Sequence, residues 1–95
     1  MTQALSFTVS GRVAHTDLSL SIEARALELK LTGWCRDDFD TVVGTGQGVP
    51  EALEEFKVWL SGGVPGARID VVEWETAAVR EDRIAFRRQI LARKD

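Results

Sequence analysis

The sequence predicts an α+β sandwich: two helices laid on one face of a mostly antiparallel sheet. Three observations predict it. Apolar residues recur with period two near the start of the chain (Leu5, Phe7, Val9) and again past residue 68. Two intervening segments repeat their apolar residues at helical spacing, and turn formers separate these runs. The resulting order, β-α-β-β-α-β, is that of the split β-α-β, ferredoxin-like sandwich. A fifth strand is expected in the tail.

The chain has 95 residues, 44% hydrophobic and 28% charged, which suits a single globular domain over residues 1–95. A formal net charge of −3 argues against nucleic acid or an anionic membrane as a partner, since both favour a basic face. One cysteine, Cys35, excludes an internal disulfide and a multi-cysteine zinc site. The start "MTQALSF" has no basic, apolar leader pattern, and no apolar run approaches the ~20 residues of a membrane span. The expected location is the cytoplasm.

In the first strand, residues 4–13, Leu5, Phe7 and Val9 alternate with Ser6, Thr8 and Ser10. Gly11 near its end marks a bulge or a close backbone approach. Thr16 or Asp17 then caps a helix whose Leu18, Ile22, Ala26 and Leu29 share one face. Gly33 is expected to permit the turn out of that element. "GWCRD" and "TVVGTG" read as a hairpin joined by "DDFD", in which Asp37, Asp38 and Asp40 are turn formers. Gly44 and Gly46 weaken the second of these strands unless a helix packs closely over them. Pro50 opens the second helix, whose core stripe is Leu53, Phe56 and Leu60, and Gly62 and Gly63 end it. "VPGA" is a turn. "RIDVVEWE" is a strand with Ile69 and Val71, and Glu73 as a candidate beside them, on one face and Val72 and Trp74 on the other. The tail is ambiguous by periodicity, since "IAFRRQIL" fits a strand or a helix.

Several segments together resemble the acylphosphatase family. They are "SGRV" ending the first strand, "ALELKLTGWCRD", "PEALEEFKVWL" and "VPGARIDVVEWE", in order and at nearly the family's spacing. "AFRRQIL" is similar to that family's final strand, which tips the tail toward a strand. The resemblance implies hydrolysis of a carboxyl-phosphate mixed anhydride. It implies a loop after the first strand, usually V-Q-G-V-G-F-R, whose N–H groups and arginine hold phosphate. It also implies an asparagine after G-W-V-R that orients the attacking water. Such a cradle of N–H donors at a helix start favours an anion, and arginine adds a two-pronged charged bond.

Aligned without gaps, Val13–Ser19 covers that loop, so the candidate site residues are Ala14, His15, Thr16, Asp17, Leu18 and Ser19, together with Asp37. The loop's glycines become His15 and Asp17, its arginine becomes Ser19, and the water-orienting asparagine becomes Asp37. Ser19 removes a fixed positive charge, and an ionised Asp37 accepts hydrogen bonds without donating any. Arg12 and Arg36 stand where the family commonly has arginine, so neither reads as a replacement. No catalytic role transfers to a matching residue, and the expectation is a pseudoenzyme with little or no acylphosphatase activity. It would act as a binding or interaction module. The alternative is an active hydrolase of acyl or carbamoyl phosphates with a rebuilt site, which would use the backbone N–H groups of residues 14–19 with Ser19, and His15 as a further candidate.

Other residues read more plainly. His15 is an exposed loop residue before it is a base. Asp37, Asp38 and Asp40 are solvated rather than a cation site, since the calcium-loop pattern is absent. Cys35 is a reduced core or sheet residue. Trp34 and Trp59 read as packing residues, with Trp74 open. Arg80, Arg83, Arg87, Arg88 and Arg93 form a solvated edge among acids. No cofactor and no metal is expected. The expected ligand is a small anion or acyl phosphate, with no nucleic acid and no membrane, and the chain is a monomer or weak homodimer.

Overall fold

The structure, a computed structural model, describes residues 2–12, 18–62, 64, 68–80 and 86–89; of residues 12, 68 and 87–89 it describes the backbone. The elements are β1 (Gln3–Arg12), α1 (Leu18–Glu28), β2 (Thr32–Asp38), β3 (Thr41–Gly48), α2 (Pro50–Ser61), β4 (Arg68–Ala77) and β5 (Phe86–Gln89). The sheet runs β4-β1-β3-β2-β5, antiparallel except for the parallel pair β2–β5. Both helices bury their apolar stripes on one face of it, as the pattern predicts: Leu18, Ile22 and Ala26 from α1, and Leu53, Phe56 and Leu60 from α2. Among the described residues no helix is long and apolar enough to cross a membrane.

The core is one cluster. Phe7 of β1 meets Phe56 of α2 edge-on, with ring centroids 5.7 Å apart, and Trp74 of β4 lies 5.8 Å from Phe7 and 6.2 Å from Phe56. Trp59 stacks on Phe56 at 6.0 Å. Trp59 and Trp74 are therefore packing residues. Trp34 is not part of this core: Gly33 and Cys35 are buried beneath the helices, so Trp34 stands on the opposite face of the sheet, half-buried.

Three local readings are corrected. The chain leaves α1 at Lys30 (φ 59), not at Gly33. The Lys30 N–H donates to the Leu27 carbonyl (3.1 Å) and the Leu31 N–H to that of Ala26 (2.9 Å), the paired bonds of a Schellman ending. Leu31, just past the turn, is buried with Ala26 and seals it. Gly33 lies within β2 at φ 134, where a Cβ would overlap the Thr45 carbonyl oxygen. The β2–β3 turn is only Phe39–Asp40, because Asp38 pairs with Thr41; Asp37 and Asp38 are strand residues. The Thr41 hydroxyl closes the turn by donating to the Asp38 carbonyl (2.8 Å). In β4, Ile69 packs on the core together with Val72 and Trp74, while Val71 is exposed. The cause is a bulge: Ser10 pairs with Val71 but Gly11 pairs with Ile69, so Asp70 is the extra residue and alternation changes phase there. The irregularity expected at Gly11 is thus present, with Gly11 itself at φ 143.

The tail contains a strand, Phe86–Gln89, on the free edge of β2. The cap expected at Thr16 or Asp17, the "VPGA" turn past Val64 and the helix end at Gly63 fall outside the described residues.

Candidate functional site

Two elements bring the candidate residues together. α1 begins over the end of β2, and Ser19 in its first turn faces the sheet, 2% exposed. Period-two alternation turns Cys35 and Asp37 of β2 toward that helix. Two contacts tie them. The Ser19 hydroxyl donates to Asp37 Oδ2 at 3.0 Å, and the Cys35 thiol donates to the Ser19 carbonyl at 3.5 Å. The positions that the resemblance pairs with the family's arginine and asparagine are therefore hydrogen-bonded to each other.

The same alternation removes Arg36 from the site. Its guanidinium lies over the Trp34 ring, 5.3 Å from the centroid, on the opposite face of the sheet. Its Nε is buried with no hydrogen-bond partner among the described residues. Arg25 points elsewhere too: it lines a groove of about 810 Å³ with Pro50, Glu51, Glu54, Val58 and Trp59 of α2, and its Nη1 lies 4.0 Å from Glu28. Among the described residues no cation pairs with Asp37. The site as described has one hydroxyl donor, already committed, and one exposed carboxylate. Such a pair accepts a donor or a cation more readily than a phosphate.

Of the other candidates, Leu18 is a core residue at the helix start, 1% exposed. Ala14, His15, Thr16 and Asp17 lie outside the described residues. Asp38 ends β2 just before the hairpin turn and Asp40 lies within the turn; among the described residues no three His, Cys, Asp or Glu side chains come together as a metal ion would need. Cys35 is fully buried within the sheet, with its thiol engaged by Ser19. Sequence reasoning missed the contact between Ser19 and Asp37. The available signal was the resemblance, which pointed to both positions without stating that they touch.

A family profile for acylphosphatase matches residues 5–88. The chain is 37% identical over 73 residues to an acylphosphatase of Synechococcus sp. (strain RCC307), covering 76% of this chain and 62% of that relative's length. It is 37% identical over 79 residues to one of Legionella pneumophila (strain Corby), covering 82% of this chain and 86% of that one. The solved structure of an acylphosphatase from Coxiella burnetii superposes with a TM-score of 0.86 at 31% identity, over 93% of each chain.

Proposed function

The chain belongs to the acylphosphatase family, and on that premise we infer that it is a member with little or no acylphosphatase turnover, serving as a binding or interaction module. One observation carries the reading: the Ser19 hydroxyl is bonded to the Asp37 carboxylate at 3.0 Å, in the place where the family pattern has a phosphate-holding arginine and a water-orienting asparagine. A fixed cation is replaced by a neutral donor whose proton is already used. A side chain that both donates and accepts is replaced by one that, ionised, only accepts. Removing one donor aimed at developing charge typically costs about 10²–10³-fold in rate, so two such changes remove most of a hydrolase's advantage. Acyl phosphate remains the ligand class to test, held more weakly because the carboxylate repels it.

The decisive measurement is hydrolysis of benzoyl phosphate by the parent chain and by Ser19→Arg/Asp37→Asn, alongside the Coxiella burnetii relative. The parent is expected to show no turnover approaching that of the relative, and the double variant is expected to gain. A parent rate equal to the relative's overturns the reading.

A second reading is an active hydrolase of acyl or carbamoyl phosphates, favoured by the names of the relatives. It would use Ser19 and His15 in a rebuilt site. On that reading the parent turns over, and Ser19→Ala or His15→Ala lowers its rate; unchanged rates in both variants rule out these residues.

A further inference from the structure

Gln47 is a buried polar residue on the sheet face away from the helices, 7% exposed, and it pairs with Thr32 at the far end of β2 from Asp37. One cross-strand row explains its burial. Ala77 of β4 pairs with Ala4 of β1, Ala4 with Gln47 of β3, and Gln47 with Thr32 of β2. Only residues 78 and 79 separate Ala77 from Arg80, and Arg80 is seated on Gln47. Two strand spacings, about 10 Å, are what three extended residues span. The chain leaving β4 therefore turns and runs across the sheet past Ala4, which is 2% exposed. A larger side chain at that position would block the path.

At Gln47 the crossing chain is gripped at both backbone groups of one residue. The Gln47 Nε2 donates to the Arg80 carbonyl, and the Arg80 N–H donates to Gln47 Oε1, each at 2.7 Å. A primary amide offers one donor and one acceptor side by side, so it holds Arg80 as a neighbouring strand would. Six residues later Phe86 pairs with Gly33, one row further along β2, and β5 continues to Gln89 opposite Arg36, one residue short of Asp37. Phe86 is 2% exposed and shares the core with Leu18, Ile22 and Ala26 of α1. β5 thus braces both the strand that carries Asp37 and the helix that carries Ser19.

We propose that Gln47 is a positioning residue for the Ser19–Asp37 site: it latches the crossover at Arg80, sets where β5 enters the β2 edge, and through β5 holds strand and helix in register. The proposal rests on the reading of that pair as the functional site. Its test uses no activity, so the two stand or fall separately.

The test is amide hydrogen exchange and amide chemical shifts of the full chain, with Gln47→Leu and Ala4→Leu as independent ways of disturbing the crossover. In both variants the amides of residues 87–89 are expected to exchange faster, by roughly ten- to a hundredfold, the range that two hydrogen bonds represent. The amide resonances of Ser19 and Asp37 are expected to shift, while those at the centre of the β1–β4 ladder stay in place. Phe86→Ala undoes β5 directly. If the latch acts through β5, adding Gln47→Leu to Phe86→Ala moves the Ser19 and Asp37 resonances no further. Unchanged β5 exchange in Gln47→Leu overturns the proposal. So does loosening of β5 without any shift at Ser19 and Asp37, or a uniform change across all amides, which would make Gln47 a contributor to overall stability alone.

Discussion

Gly44 and Gly46 lie two residues apart on the helix-facing side of β3, yet their surroundings differ. A Cβ on Gly44 would overlap the Trp34 carbonyl oxygen and stand 2.7 Å from Phe7 Cζ and 2.9 Å from Cys35 Cα. Two of these three atoms are backbone and cannot swing away. At Gly46 the nearest atoms are Leu53 Cδ2 at 3.8 Å and Leu31 Cδ1 at 3.9 Å, ordinary contact distances. Gly44→Ala should therefore cost ~3 kcal/mol or more, while Gly46→Ala should change stability by less than ~1 kcal/mol, because its lower chain entropy when unfolded offsets small packing losses. Urea midpoints of the two variants against the parent measure the contrast; equal losses would show that the helix, rather than the facing backbone, excludes a side chain. Residue type indicated that both positions need little volume, but not which neighbour sets the limit. The same limit explains Lys30 and Phe39, the two non-glycine residues at positive φ among the described residues (59 and 56). Neither residue type signals that conformation, whereas Gly33 and the aspartates are residue types that favour turns. At the candidate site, alternation along β2 was legible and suffices to turn Arg36 away from Asp37. The Ser19–Asp37 bond was not legible, because it depends on how α1 sits over β2, and sequence spacing carries no such information.

The helices were legible because three or four apolar residues at helical spacing leave no other burial solution for segments this long. β4 was legible as a strand but misread in its faces. A bulge changes the phase of alternation at Asp70, so Ile69 and Val72 share a side although three residues apart. β5 has four residues, too few to separate a strand from a turn of helix, and the family resemblance decided it. α2 shows what a pattern omits. Pro50 occupies its first turn, and Val49 before it holds the extended conformation (φ −70, ψ 150) that a residue preceding proline prefers, so the start is sharply defined. The Leu53 N–H donates to the Val49 carbonyl at 3.1 Å, opening the ladder, but Val49 has no side-chain acceptor for the free N–H groups above it. Val49 is 48% exposed, so replacing it forfeits little packing. Val49→Ser should stabilise the protein by about 1 kcal/mol by capping that turn. A thermal midpoint that rises by a few degrees would agree; a fall would mean that the exposed valine packs better than its surroundings suggest.

Across the whole molecule the two helices are anchored by different means. α1 is held by aliphatic side chains, by Phe86 and by the Ser19 contacts to β2, whereas α2 is held by rings: Phe56 meets Phe7, Trp59 and Trp74 within 6.2 Å. Because Phe7 belongs to β1, between β3 and β4 in the sheet, the Phe7–Phe56 pair joins α2 to the middle of the fold. An edge-on pair of this kind gains about 0.5–1.5 kcal/mol beyond the area each ring buries. Phe7→Leu and Phe56→Leu keep both positions apolar and of similar volume, so each should lose only the ring contacts and a small packing term. In a double-mutant cycle the combined loss should be smaller than the sum of the single losses by that coupling, since the second substitution removes a contact already absent. Both single variants should also unfold in one transition, because Phe7, Phe56, Phe86 and the α1 stripe belong to one contiguous cluster with no boundary along which half of the molecule could melt. Additive losses would show that Trp74, which touches both rings, takes over the contact when either one is trimmed.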